Sequence, residues 1–156
     1  PYTTLFRSWL SRDRDTCRIN RRKSGFNNGG SIAYIVSIKT AFKSTDALKK
    51  ATAKLGIECE IAEKGKTLTR KLYASQSATG VAAFQLPGWR FPAVVQEDGS
   101  CKADNYNGAW GKQEEMDKLA CEYSAQLAAM TMKRQGYRSV SDKVEADGTR
   151  ELVFVS

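Results

Sequence analysis

None of the 156 residues in this sequence is a histidine. This excludes Ser-His-Asp and Cys-His nucleophilic catalysis, histidine ligation of metals and the usual general base near neutral pH. The cysteines form no C-x-x-C pair, which argues against a zinc ribbon, a thioredoxin motif and an iron–sulfur site. We interpret them as reduced, partly buried thiols in a reducing compartment. They are Cys17, Cys59, Cys101 and Cys121.

Two further segments imitate chemical sites without meeting their requirements. Glu114, Glu115 and Asp117 point in different directions around a predicted helix, so we expect them to complement its dipole rather than form a catalytic pair. The glycine-rich residues 25–30 follow no predicted strand and precede no Lys-Ser or Lys-Thr, so they do not form a P-loop. We therefore expect a protein without enzymatic activity, bound metal or cofactor.

The densest group of recognition residues lies between a predicted strand and a predicted helix. Asp104, Tyr106, Trp110 and Gly111 combine polar and aromatic groups on a loop, where binding sites are common. An alternative interpretation is purely structural. Trp110 would then pack the helix against the sheet, and Asp104 would cap a turn.

A basic N-terminal arm carries most of the positive charge. The chain has 25 basic and 17 acidic residues, net +8, and residues 1–30 alone hold seven basic residues against Asp13 and Asp15. Interleaved arginine and aromatic side chains suit RNA stacking and phosphate contacts, but they equally suit anchors on a protein partner. The candidate partner-binding residues of the arm are Phe6, Arg7, Trp9, Arg12, Arg21 and Arg22.

The spacing of hydrophobic residues and the turn residues predict the helices and strands that position these candidate residues. A helix is predicted from about residue 45 to 55, with Ser44 or Thr45 as its cap and Gly56 as its left-handed stop. A longer helix is predicted from Lys112 to Gly136. Asp98-Gly99 and Asp147-Gly148 predict hairpins, and Pro92 places its strand at an edge or a bulge. The predicted strands are residues 31–40, 57–62, 68–75, 81–86, 89–96, 100–104, 137–144 and 150–155.

This order predicts an α+β fold, with a largely antiparallel sheet and both helices packed on one face. A hinge at Gly29-Gly30 divides an extended arm, residues 1–30, from a single domain, residues 31–156. We expect the domain to fold alone and the arm to become ordered only on a partner. No apolar run approaches the roughly 20 residues of a transmembrane helix, so we expect no membrane span.

Several segments between residues 31 and 155 together resemble a known family. An Asp before Trp-Gly, a long helix with a central Tyr, and Gln-Gly-Tyr before an Asp-Gly hairpin are its most specific features. The segments are Ser37-Ile38-Lys39-Thr40, Asp46-Ala47-Leu48-Lys49-Lys50 through Leu55-Gly56, Ala103-Asp104, Trp110-Gly111, Tyr123, Gln135-Gly136-Tyr137, and Asp147-Gly148-Thr149 through Leu152-Val153. They resemble the family of conserved hypothetical chloroplast reading frame thirty-five, a domain of unknown function found in cyanobacteria and algal plastids.

The resemblance implies a compartment and a photosynthetic setting, but no reaction. Under it we expect a non-enzymatic subunit or accessory factor on the stromal face of a plastid thylakoid complex, with photosystem I as the leading candidate. A plastid RNA- or ribosome-associated protein is the alternative, suggested by the net charge of +8.

Overall fold

The structure of the protein is a computed structural model, which describes residues 3–5, 35–38, 41–144 and 150–155. These residues form two α-helices, α1 (Thr45–Leu55) and α2 (Gln113–Arg134), and a short 3-10 turn at Tyr106–Gly108. The strands are β1 (Thr3–Leu5), β2 (Ile35–Ile38), β3 (Glu58–Ile61), β4 (Leu68–Lys71), β5 (Ser77–Gly80), β6 (Ala82–Gln85), β7 (Ala93–Val95), β8 (Cys101–Asp104), β9 (Arg138–Val144) and β10 (Arg150–Val155).

The fold is α+β, and all strand pairs within the described residues are antiparallel. This confirms the predicted fold class, and the strands are divided among three sheets. The central five-stranded sheet has the order β2-β8-β7-β6-β3, and β4-β5 and β1-β10-β9 form two smaller sheets. The hairpin at Asp98-Gly99 is confirmed, because Gly99 adopts a φ of 84° between β7 and β8.

Helix α1 begins and ends where the sequence signals lie. The Ser44 side chain accepts a hydrogen bond from the Ala47 amide at 3.2 Å, which satisfies one of the amides left open at a helix start. Gly56 ends the helix with a φ of 67°. Both predicted boundaries of this helix are therefore confirmed.

Both helices pack on one face of the five-stranded sheet, as predicted. The Tyr123 hydroxyl in the middle of α2 accepts a hydrogen bond from the Ser44 amide at 3.0 Å, and its ring lies 4.9 Å from that of Phe42. This central tyrosine therefore ties α2 to the start of α1. The large side chains that are almost completely buried in this core are Phe42, Leu48, Phe84, Leu86, Met116 and Leu119.

The β4-β5 hairpin covers part of the opposite sheet face, which the sequence did not predict. Its apolar residues Leu68, Leu72 and Ala78 pack with Ala83 of β6 and Val94 of β7. The β5 strand itself was missed, because four short polar or small residues carry no alternating apolar pattern. The sheet is therefore covered on both faces.

The position of Pro92 also differs from the expectation. Strand β7 lies in the middle of the sheet, not at an edge, and it begins at Ala93 directly after the proline. Because Pro92 precedes the strand, its missing amide hydrogen costs no hydrogen bond between strands.

The C-terminal half of α2 packs against the three-stranded sheet. Ala125 and Met132 of the helix pack with Leu152 and Phe154 of β10 in a small separate core. Strand β1 pairs with β10, with Thr3 opposite Val155 and Leu5 opposite Val153. The remaining arm residues, the Gly29-Gly30 hinge and Asp147-Gly148 lie outside the described residues, and the division into arm and domain stays a prediction.

Candidate functional site

The loop between β8 and α2 contains the recognition residues that the sequence singled out. Asp104 ends β8, and its Oδ1 accepts a hydrogen bond from the Tyr106 amide at 3.1 Å. The amides of Gly108 and Trp110 both donate to the Asn105 carbonyl, at 2.9 and 3.0 Å. Tyr106 and Gly108 have φ angles of 43° and 96°, a left-handed conformation that is uncommon for a bulky residue such as tyrosine. The loop is therefore tightly wound.

A buried tryptophan anchors this loop to the turn before β7. The Trp89 indole N–H donates to the Lys112 carbonyl at 3.0 Å, and the Arg90 amide donates to the Trp110 carbonyl at 2.7 Å. A Cβ atom on Gly111 would lie 2.5 Å from the Trp89 ring. The glycine that follows Trp110 therefore has a steric reason, because any larger residue at position 111 would collide with the Trp89 ring.

Three aromatic side chains and an arginine gather around Trp110, and we call these five residues the Trp110 cluster. The Tyr106 ring stacks on Trp110 at 4.5 Å, the Tyr73 ring lies at 4.6 Å, and the Phe91 ring lies edge-on at 5.4 Å. The Arg90 guanidinium carbon lies 5.5 Å from the Trp110 ring and 5.6 Å from Phe91, within the range of cation–π attraction. The cluster therefore joins three segments that are distant in the sequence.

The Trp110 cluster lies at the surface rather than in the core. Trp110 and Phe91 are half-buried, Arg90 is exposed, and Tyr106 is 39 % exposed. No carboxylate of the described residues forms an ion pair with Arg90. Within the described part of the chain, the cluster therefore presents aromatic side chains and a positive charge without an acidic partner.

No protein-family model, curated protein or solved structure matches this chain. The chemistry available to the Trp110 cluster therefore follows from its own side chains. Within the described part of the chain, no three Cys, Asp or Glu side chains are grouped as metal ligands.

Buried polar groups underlie the same loop. Asp104 has no exposed surface and Asn105 is 4 % exposed, and neither Asp104 Oδ2 nor Asn105 Oδ1 has a hydrogen-bond partner in the described structure. Burial raises the pKa of the Asp104 carboxyl, and the hydrogen bond from the Tyr106 amide only partly opposes this shift. The folded state therefore favours the protonated acid more than the unfolded state does.

Replacing Asp104 by asparagine is expected to stabilise the protein at neutral pH by about 1 kcal/mol, because it removes a poorly solvated charge and keeps the accepting oxygen. A raised pKa means that the wild-type carboxyl destabilises the fold above that pKa and ceases to do so once it is protonated. The advantage of Asp104→Asn should therefore be largest at pH 7 and shrink as the pH falls towards 4. Urea unfolding at both pH values measures it, and an advantage that grows on acidification contradicts this account.

The predicted site residues divide into two groups. The structure brings Asp104, Tyr106 and Trp110 together in one loop, and Asp104 also caps the turn there. The packing role that the alternative interpretation gave to Trp110 belongs to Trp89, which is 6 % exposed. The arm residues Phe6, Arg7, Trp9, Arg12, Arg21 and Arg22 lie outside the described residues.

Sequence reasoning missed three members of the Trp110 cluster. Tyr73 follows β4, and Arg90 and Phe91 precede β7. Tyr73 carries no signal in its own segment, and only the packing of the β4-β5 hairpin onto the sheet brings it to Trp110. The Arg-aromatic pair at Arg90 and Phe91 was the one local signal, because such pairs are typical of binding surfaces.

The three cysteines among the described residues lie outside this loop, and Cys17 lies outside the described residues. Cys101 is buried and Cys59 is half-buried, and burial raises the pKa of both thiols, that of Cys101 to about 12. Both thiols are therefore protonated at neutral pH and are poor nucleophiles. Cys121 is exposed on α2.

Proposed function

We propose that this chain is a non-enzymatic subunit or accessory factor that binds a protein partner through the Trp110 cluster. The observation that carries the proposal is the surface group of Trp110, Tyr106 and Arg90, because tryptophan, tyrosine and arginine dominate the binding energy of protein interfaces. Fold stability does not explain this arrangement fully, since the buried Trp89 already anchors the loop.

The resemblance to the plastid family supports a choice of partner. We propose the stromal side of a thylakoid photosynthetic complex, with photosystem I as the leading candidate, and a plastid location for the chain. Neither helix of the described residues is long and apolar enough to cross a membrane.

Replacing Trp110 by alanine is expected to reduce co-migration with the photosystem on a native gradient at least tenfold, because the half-buried ring at the centre of the cluster is lost. Val144→Ala is the matched control, since this exposed apolar residue lies on β9, outside the Trp110 cluster. Circular dichroism would show that both variants fold. Co-migration of Trp110→Ala at the wild-type level, or recovery of the wild type only with free stromal proteins, contradicts the proposal.

Deleting residues 1–30 is expected to leave thermal unfolding nearly unchanged and to weaken assembly, because the basic arm extends the contact with an acidic stromal surface. Deletion of residues 1–5 is the control, since it removes β1 and keeps the basic residues. Within the arm, Trp9→Ala should weaken co-migration more than Arg12→Ala, because an aromatic anchor outweighs a single rim charge. An unfolded 31–156 fragment would show that the arm belongs to the core.

A second candidate function, RNA or ribosome association, is favoured by the same arrangement of rings beside Arg90. Bases stack on exposed aromatic rings, and the net charge of +8 attracts phosphates. This function predicts binding to generic RNA that weakens steeply between about 50 and 200 mM salt. No detectable binding near 50 mM salt would discard it.

A further inference from the structure

Two basic residues are carried by the backbone around Trp110: Arg90, a member of the Trp110 cluster, and Lys112. Arg90 lies over the Trp110 ring, and its amide donates to the Trp110 carbonyl. Lys112 is exposed at the start of α2, two residues after Trp110, and its carbonyl accepts from the Trp89 indole. These hydrogen bonds hold the backbone at Arg90 and at Lys112 close to the loop between β8 and α2.

Among the described residues, no carboxylate forms an ion pair with Arg90 or Lys112. Asp104 is buried, and Glu115 forms an ion pair with Lys118 at 3.0 Å. Glu114 is the exposed acid of the first turn of α2, and no ion pair joins it to Lys112 within the described residues. The positive end of the α2 dipole adds to the field of the two cations.

We propose that the Trp110 cluster binds an acidic segment of the partner protein, in which a carboxylate contacts Arg90 and an adjacent aromatic side chain packs against Trp110. This inference rests on the proposed function and specifies the chemistry of its partner. Charge complementarity selects the occupant, because Arg90 offers a planar pair of donors to a carboxylate and has no acidic partner in the described structure. The aromatic rings of the cluster add apolar contact, because an exposed ion pair alone contributes little binding energy.

The test uses the full chain and a labelled synthetic ten-residue peptide of alternating Glu and Tyr, followed by fluorescence anisotropy at 50 mM salt. Arg90→Gln should weaken binding at least fivefold, and Trp110→Ala at least as much. Arg138→Gln is the matched control, since Arg138 is exposed on β9 and forms no ion pair within the described residues. Because the basic arm attracts any acidic probe, the comparison of Arg90→Gln with Arg138→Gln locates the site.

Two further probes define the outcomes that overturn the proposal. A Gln/Tyr peptide that binds as tightly as the Glu/Tyr peptide shows that the carboxylates are not recognised. A ten-nucleotide single-stranded RNA that binds more tightly than the Glu/Tyr peptide, and is weakened by Arg90→Gln, shows a phosphate site instead. Equal affinities of Arg90→Gln and Arg138→Gln for the acidic peptide also reject the proposal.

Co-migration with the photosystem separates this inference from the function on which it rests. If Trp110→Ala abolishes co-migration and Arg90→Gln does not, the cluster docks a partner that is not acidic there. If neither variant affects co-migration, both proposals fail.

Discussion

Replacing Gly80 by alanine is expected to lower the free energy of unfolding by about 3 kcal/mol, as overpacking against a rigid backbone does. Gly80 ends β5 where the β4-β5 hairpin crosses the five-stranded sheet. An added Cβ would lie 2.7 Å from the Val95 carbonyl carbon, 2.9 Å from Val94 Cγ1 and inside the contact distance of the Val95 oxygen. The obstructing atoms belong largely to the backbone of a central strand, and Val81 N–H donates to the same oxygen at 2.8 Å. The clash therefore forces the hairpin away from the sheet.

A second glycine provides the control that separates steric conflict from backbone conformation. Gly65 has a φ of 79°, but a Cβ there would meet no atom within 4 Å. Gly65→Ala should cost only about 1 kcal/mol, the strain of a left-handed alanine. Urea denaturation of both variants measures the difference, and equal losses would show that the hairpin does not rest tightly on β7.

The elements that the sequence predicted well are those with local causes. Ser44 and Gly56 fix the ends of α1 through hydrogen bonds and backbone angles within a few residues. Asp98-Gly99 likewise sets its hairpin through the turn itself. Such signals need no knowledge of the rest of the chain.

The elements that the sequence missed depend on contacts between distant segments. Nothing within residues 77–80 shows that β5 will pair with β4 and lie on β7, because the pairing is stabilised by Leu68 and Val94 from elsewhere. Pro92 was misplaced for the opposite reason. The local rule about proline is correct, but the strand begins at Ala93, four residues later than predicted, so that Pro92 precedes it.

The candidate site was predictable in part for the same reason. Asp104, Tyr106 and Trp110 lie close together in the sequence, whereas Tyr73 and Arg90 join them only through tertiary packing. The sequence alone did not show which of Trp89 and Trp110 is the buried anchor and which lies at the surface. The structure gives the buried anchor to Trp89 and the surface position to Trp110.

An ion-pair network joins the two helices to the paired strands β9 and β10. The Arg150 guanidinium donates to Glu122 of α2 at 2.5 Å and to both oxygens of Asp142 of β9, at 2.7 and 2.6 Å. Lys54 of α1 also pairs with Glu122, at 3.0 Å. Because Glu122 is only 6 % exposed, its charge depends on these partners.

Arg150→Met is expected to cost about 2 kcal/mol of unfolding free energy at pH 7, because it leaves Glu122 buried with Lys54 as its remaining cation. Arg138→Met on β9 is the control, since Arg138 is exposed. Adding Glu122→Gln to Arg150→Met should recover part of the loss, since the buried charge is then gone. Equal stabilities of the single and double variants would show that the loss comes from packing of the arginine stem.

Acidification supplies an independent test of the same network. Burial raises the pKa of Glu122, but hydrogen bonds from Arg150, Gln126 and Lys54 outweigh burial and hold it below its usual value. The hydrogen bond from Arg150 likewise lowers the pKa of Asp142. A carboxyl with a lowered pKa stabilises the fold above its unfolded-state pKa and loses that contribution as the pH falls through the folded-state pKa. The stability difference between wild type and Arg150→Met should therefore be complete at pH 7 and shrink below about pH 4, whereas a difference independent of pH would assign the effect of Arg150 to its apolar stem.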